Sequence, residues 1–107
     1  MTTDIVVILC TAAPGEAESM AQELVEQRIA ACVNIVPVQS TYRWKGGICN
    51  DPEHLMIVKT TKEGTDRAVA AIRAMHSAEV PEIIVLPVIA GYAPYLEWVR
   101  QETKGFP

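Results

Sequence analysis

Three side chains of the types that bind soft metal ions stand out in this sequence, namely Cys10, Met75 and His76. A thiol, a thioether and an imidazole suit copper(I), and the thiol and imidazole also suit zinc. Met75 and His76 are adjacent, and adjacent side chains on a regular helix diverge by about 100°. Both therefore reach one ion only where the helix ends, which the pattern predicts near His76. The alternative is a core methionine beside a histidine favoured by the negative end of the helix, and the residues alone leave both interpretations open.

Two charged residues interrupt or adjoin otherwise apolar strands: Lys59 near the end of one, and Glu82 just before another. Lys59 shares a strand face with Leu55 and Ile57, so its side chain can enter a cleft, and Glu82 is a candidate counter-charge for it. Such a pair would bind an anionic ligand or serve only the structure. The alternative is an exposed lysine whose stem covers apolar surface.

Tyr42 and Trp44 lie on one face of a predicted strand, with Arg43 and Lys45 on the other. Large aromatic side chains commonly anchor contacts between subunits. We expect Tyr42 and Trp44 to pack against a neighbouring subunit, at the rim of a cleft between copies, rather than to form a ligand platform.

The sequence lacks the signatures of common enzymes and of nucleic-acid binding. It has no glycine-rich phosphate loop, no GxSxG, no HExxH and no EF-hand loop, so we predict that it is not an enzyme. The net charge is −4, the isoelectric point is near 5.1 and the basic residues are scattered. This balance argues against a nucleic acid or an anionic membrane as the partner.

The termini and cysteines bear on location. An acid, Asp4, stands where a signal peptide needs positive charge, and the apolar run after it is too short to span a membrane. Cys10, Cys32 and Cys49 form no CxxC pair, which indicates reduced thiols. We predict a cytoplasmic protein.

The elements that position these residues are predicted in the order βαββαβ, followed by a short helix that Pro94 opens. Helical spacing of apolar residues begins after Glu16 and again after Thr65. The length of 107 residues and the 50% hydrophobic content fit a single domain, residues 1–107. This order predicts an α+β, ferredoxin-like fold with an antiparallel sheet.

Proline gives an independent check on the order of the strands. In the ferredoxin-like arrangement the first and third strands are central, and proline belongs on edge strands because it cannot donate a ladder hydrogen bond. Pro37 falls in the long second strand, which we expect it to interrupt, and Pro87 falls in the fourth. A turn region containing Asn50-Asp51-Pro52 is predicted before a proline-free third strand, 54–61.

Three continuous apolar runs, 5–9, 55–58 and 83–86, predict strands buried on both faces. Two long helices cover only one face of such a sheet. If about six aliphatic side chains on the other face were exposed to water, each would lose about 1.5–3 kcal/mol of the stabilisation that burial provides. A long second strand also leaves an unpaired edge. Both arguments predict that copies of the chain assemble.

Five blocks in order along nearly the whole chain resemble the CutA divalent-cation tolerance proteins: 8–12 (ILCTA), 30–34 (AACVN), 40–46 (STYRWKG), 56–61 (MIVKTT) and 80–88 (VPEIIVLPV) with 95–98 (YLEW). The resemblance implies a ferredoxin-like fold assembled as a tight homotrimer, and a role in copper tolerance or metal binding. It implies metal ligands at Cys10 and His76, and at Met75 where family members have a histidine. Met75 departs from that pattern, and methionine is a poor ligand for harder divalent ions.

Two functions remain open from the sequence. The first is a homotrimer that binds copper or another divalent cation through Cys10, Met75 and His76. The second is a trimeric signalling protein similar to the PII proteins, which would bind a small ligand in an intersubunit cleft containing Lys59 and Glu82. Binding of nucleic acid is disfavoured because the predicted third strand has no aromatic residue for base stacking.

Overall fold

The computed structural model describes residues 3–104. It contains four strands and three helices in these residues, in the predicted order: β1 Ile5–Ala12, α1 Glu16–Glu26, β2 Cys32–Trp44, β3 Gly47–Thr61, α2 Thr65–Met75, β4 Ile83–Pro87 and α3 Ala93–Glu102. The strands form one antiparallel sheet in the order β2-β3-β1-β4. The prediction that the first and third strands are central and the other two lie at the edges is confirmed. No helix in the described part of the chain is long and apolar enough to cross a membrane.

One face of the sheet packs against α1 and α2. Alternate residues of the central strands, among them Ile8, Met56 and Val58, are wholly buried there. The helices contribute residues at helical spacing, including Leu24 and Ile72, which are also wholly buried. Burial of this apolar face is the main source of stability in a domain of this size.

The strands β2 and β3 form a hairpin that extends past the rest of the sheet, and we call its residues 39–52 the arm. A two-residue turn joins the strands, with φ of 49° at Lys45 and 82° at Gly46, and Trp44 lies opposite Gly47. Positive φ at both positions is typical of a type I′ turn, which favours glycine at the second position. This tight turn sets the register of the whole arm.

Two details of the predicted strands were wrong. Residues Asn50-Asp51-Pro52 are not a turn but part of β3, because the register from Gly46 onward pairs them with residues 39–41 of β2. Pro37 does not interrupt β2, which pairs without a break on both sides of it. Pro52 is tolerated in β3 because β1 pairs only as far as His54, so β3 has one neighbour there.

Within residues 3–104, the other face of the sheet is covered only at one end. There α3 packs its buried Val99 against Ile5 and Ala31. The remaining apolar residues of this face are half-buried or exposed, and we call them the open face: Val7, Leu9, Val36, Leu55, Ile57, Ile84 and Leu86. The three apolar runs are therefore not buried on both faces within one chain, and α3, which the sequence did not predict in this place, covers part of the second face.

Candidate functional site

A cleft of about 640 Å³ lies between the arm and residues 76–82, which connect α2 to β4. Its lining includes two aromatic residues, one histidine and three carboxylates: Tyr42, Trp44, His76, Glu53, Glu79 and Glu82. The arm contributes the aromatic side, β3 contributes Glu53, and the connection contributes the rest. We call this space the cleft.

His76 holds one side of the cleft in place. It caps α2, and its backbone N–H donates to the carbonyl of Ile72 at 2.9 Å. Its ring Nε2 lies 2.8 Å from the carbonyl oxygen of Thr11, and its Nδ1 lies 3.0 Å from the backbone nitrogen of Ala78. A carbonyl only accepts and an N–H only donates, so Nε2 donates to Thr11 and Nδ1 accepts from Ala78. A metal ion would have to take Nδ1 from Ala78.

Cys10 lies on the opposite side of β1 from Thr11 and is wholly buried beneath the helices. Its Sγ is 3.7 Å from the carbonyl oxygen of Thr11. Burial, and then the nearby carboxylates of Glu82, Glu16 and Glu53, raise the pKa of the Cys10 thiol to about 12. The thiolate that metal ions bind is therefore strongly disfavoured at neutral pH.

Met75 is the last residue of α2, half-buried, and packs against the same core. The fold thus brings Cys10, Met75 and His76 to one end of the sheet, although each has other contacts. Residues 3–104 contain no group of three or more His, Cys, Asp or Glu side chains placed to hold a metal ion. One chain does not present these three residues as a ready site for copper.

Lys59 and Glu82 are not brought together. Lys59 lies opposite Val7 and Cys32, on the face that α3 partly covers, with its Nζ 4.0 Å from the Cys32 Sγ. Glu82 is exposed and lines the cleft, just before β4. Within residues 3–104 no ion pair joins the two, so Glu82 is not the counter-charge of Lys59 in one chain.

The aromatic side of the cleft is held by contacts across the arm. The Tyr42 hydroxyl donates to the Asp51 carboxylate at 2.6 Å, and this hydrogen bond raises the pKa of Tyr42 to about 12. The Lys45 Nζ lies 5.7 Å from the centroid of the Trp44 ring and 3.7 Å from the Glu79 carboxylate. Tyr42 and Trp44, expected at a subunit contact, line the cleft within one chain.

The sequence analysis named Glu82 as a cleft residue but missed the other two carboxylates of the lining, Glu53 and Glu79. A further carboxylate, Glu16, does not line the cleft but contacts Ser77 in the connection that forms one side of it. Ser77 hydrogen-bonds to the Glu16 carboxylate and lowers its pKa, with the backbone N–H of Ser77 3.0 Å from Oε2. The sequence did contain a signal for them. Glu79 and Glu82 flank a Val-Pro pair soon after His76, a pattern that indicates an acidic segment after the second helix.

The chain is similar in sequence to known proteins along most of its length. Residues 5–102 match the family model described as CutA1 divalent ion tolerance protein. The divalent-cation tolerance protein CutA of Thermus thermophilus is 42% identical over 99 residues, covering 92% of this chain and 96% of that protein. Protein CutA of Homo sapiens is 46% identical over 89 residues, covering 82% of this chain but 50% of that protein.

Solved structures of similar proteins have the same fold. The periplasmic divalent cation tolerance protein CutA from Archaeoglobus fulgidus superposes with a TM-score of 0.91 at 37% identity, covering 94% of this chain and 99% of that one. The PII-like protein CutA from Nostoc sp. PCC 7120, in apo form, superposes with a TM-score of 0.89 at 36% identity, covering 92% and 96%.

Proposed function

Because the chain belongs to the CutA1 divalent ion tolerance protein family, we propose that it acts in divalent-cation tolerance by binding a metal ion, with copper as the first candidate. The family is named for tolerance and not for a reaction, which agrees with the absence of enzyme motifs. The observation that carries the proposal is the acidic cleft. A cleft lined by one sign of charge raises the local concentration of ions of the opposite sign.

The buried Cys10 thiol is a poor ligand beside this cleft. Burial is the main cause of its raised pKa, and the carboxylates of Glu82, Glu16 and Glu53 raise it further. Carboxylate oxygens and the imidazole of His76 suit divalent copper or zinc better than a protonated thiol does. We therefore propose Glu82 and His76 Nδ1 as first ligands, in place of Cys10 and Met75.

One chain offers too few donors for a tight site, since no group of three is formed in residues 3–104. We propose that copies assemble, as a homotrimer, and that a second copy completes the site. The open face supports assembly because three of its residues, Val36, Ile84 and Leu86, are at least 41% exposed in one chain. Each such side chain gains about 1.5–3 kcal/mol if it is buried fully.

Sedimentation velocity tests the assembly. We expect wild type to sediment as a trimer, and Ile57→Asp on the open face to give smaller species. Val25→Asp is the matched control, because Val25 is an exposed apolar residue of α1 on the other side of the sheet. A wild-type monomer of 11.7 kDa at micromolar concentration would refute the assembly.

Calorimetric titration with Cu²⁺ and Zn²⁺ tests the ligands. We expect His76→Gln and Glu82→Gln each to weaken binding at least about tenfold, equivalent to about 1.4 kcal/mol. His54→Gln and Glu63→Gln are matched controls, since His54 contacts Glu18 and Glu63 lies in the turn before α2. Absence of metal binding by wild type would refute the proposal. Loss of binding in Cys10→Ser alone would show that the Cys10 thiol is the ligand, and not Glu82 and His76.

A second candidate is a PII-like protein that binds a small molecule, because the cleft is far larger than a metal ion needs. The volume is within the range of about 300–1,000 Å³ typical of small-molecule sites. A thermal-shift screen tests it, with Trp44→Leu expected to abolish any hit and Trp98→Leu as the control. A screen without hits, or hits that Trp44→Leu leaves intact, would reject it.

The cytoplasmic location stays a prediction.

A further inference from the structure

The lining of the cleft selects the charge of a ligand. Of the twelve described residues that line it, three are carboxylates and none is lysine or arginine. Both ring nitrogens of His76 already have backbone partners, Nε2 at the carbonyl of Thr11 and Nδ1 at the N–H of Ala78. The Tyr42 hydroxyl already donates to Asp51. An anionic ligand would therefore meet three carboxylates and no basic side chain in the lining, whereas a cation would meet carboxylate acceptors from both β3 and the connection.

The aromatic side selects a ligand with an organic surface. The Trp44 side chain is partly exposed, and the hydrogen bond between Tyr42 and Asp51 fixes the neighbouring ring. An aromatic face attracts an ammonium group in addition to the methylene groups attached to it. A bare metal ion would use the carboxylates and leave these rings without a role.

Lys45 shows that this place accepts an ammonium group. Its Nζ lies 5.7 Å from the Trp44 ring centroid and 3.7 Å from Glu79. The side chains of Lys45 and Glu79 are 73% and 70% exposed, and an ion pair this exposed contributes little to stability because water screens it. A ligand ammonium that also contacts Glu53 and Glu82 can displace Lys45, since it gains carboxylate partners that the Lys45 ion pair does not use.

We propose that the cleft binds a small organic ammonium ion, a protonated alkylamine, between the Trp44 ring and the carboxylates of Glu53, Glu79 and Glu82. This inference rests on the second candidate function, small-molecule binding in the cleft, and names its ligand class. The methylene groups lie against Trp44 and Tyr42, and the charged nitrogen is bound by the carboxylates. Lys45 competes with the ligand for Trp44 and Glu79.

The test titrates the full chain with 1,4-diaminobutane and follows Trp44 fluorescence in a Trp98→Phe background, since the chain has two tryptophans. The neutral control is 1,4-butanediol, which has the same carbon chain. MgCl₂ at equal ionic strength separates a requirement for an organic cation from general attraction of positive charge. We expect saturable binding of the diamine and none of the diol.

Two substitutions give opposite expected shifts. Glu82→Gln should weaken diamine binding at least about fivefold, since a charge-assisted contact contributes about 1 kcal/mol or more, and Glu53→Gln repeats the test if that variant does not fold. Lys45→Asn should tighten binding about twofold to fivefold by removing the competing ammonium. Asparagine preserves the turn, because Asn-Gly is favoured in type I′ turns. Glu63→Gln and Lys62→Ala, in the turn before α2, are the matched controls.

The inference is overturned if the Kd of the diamine is above about 10 mM, which corresponds to a binding free energy smaller than about 3 kcal/mol. It is also overturned if the diol or Mg²⁺ gives the same response, or if Lys45→Asn weakens binding. Should the diamine fail while another small molecule binds in a manner sensitive to Trp44→Leu, only the ligand class is wrong. Should no compound of either kind bind, the small-molecule function fails with it.

Discussion

The protonation state of Cys10 gives the sharpest test of the site, because a thiol must lose its proton before it binds a metal ion or reacts. Its pKa is raised from 9.0 to about 12. At about pH 8 a thiol with the ordinary value is roughly one tenth ionised, and one with a pKa of about 12 roughly one ten-thousandth. Since alkylation proceeds through the thiolate, we expect native Cys10 to react at least about a thousandfold more slowly than unfolded Cys10.

Iodoacetamide labelling followed by mass spectrometry measures this ratio for each cysteine separately. The native chain is compared with the same chain in urea, where Cys10 regains an ordinary environment. Cys49, half-buried on the arm, is the internal control for reagent activity. Native Cys10 labelling within about tenfold of its unfolded rate would refute the reasoning, because neither burial nor the carboxylates would then hold the proton.

The same shift makes stability depend on pH. The folded chain retains the Cys10 proton to higher pH than the unfolded chain, so the stabilisation is complete below about pH 9 and is lost as pH rises toward about 12. The loss is about 1.4 kcal/mol for each pH unit in that window. The unfolding free energy of wild type should therefore fall relative to that of Cys10→Ala at alkaline pH. Parallel profiles for the two proteins would contradict the assigned shift.

Three further predictions concern the fold, measured by urea unfolding at a fixed protein concentration. Thr60→Val should lower the free energy of unfolding by about 1–3 kcal/mol, because the buried Thr60 hydroxyl donates to the Ile29 carbonyl at 2.6 Å. Thr60→Ser keeps the hydroxyl and should retain most of the stability. Equal losses in the two variants would argue against the hydrogen bond. Ile72→Ala should lower the free energy of unfolding by about 2–5 kcal/mol, because it leaves a cavity in the core. Ile89→Ala is the control and should change it little, since the Ile89 side chain is 72% exposed. A loss below about 1 kcal/mol for Ile72→Ala would contradict the packing. Gly46→Ala should cost about 1 kcal/mol because φ is 82° there, and an unchanged midpoint would contradict the type I′ turn.

Family membership supports a role in divalent-cation tolerance, but the chemistry available in one chain shifts attention from soft to hard donors. The soft set of Cys10, Met75 and His76 lies at one end of the sheet without forming a site, and the carboxylates of the cleft lie beside it. Metal and ammonium ligands would compete for the same negative charge. Titrations with metal ions and with the diamine therefore distinguish metal binding from small-molecule binding by the ligand that binds, since both would use the same cleft.

The amino-acid sequence alone determined the order of the elements and which strands are central. Both depend on local signals, namely the spacing of apolar residues in α1 and α2 and the exclusion of proline from strands with two neighbours. The positions of Pro37 and Pro87 were therefore informative even though Pro37 does not interrupt its strand. The burial of Cys10 also agrees with the general tendency of free cysteine.

Only the tertiary structure decided which side chains share the cleft. Lys59 and Glu82 are 23 positions apart in the sequence, and the register of β1 against β3 and β4 places them apart in space. Glu53 and Glu79 line one cleft because the arm lies beside the connection after α2, where Lys45 at the turn of the arm reaches Glu79. Strand register and the direction of a connection depend on contacts between distant segments, so patterns within one segment do not specify them.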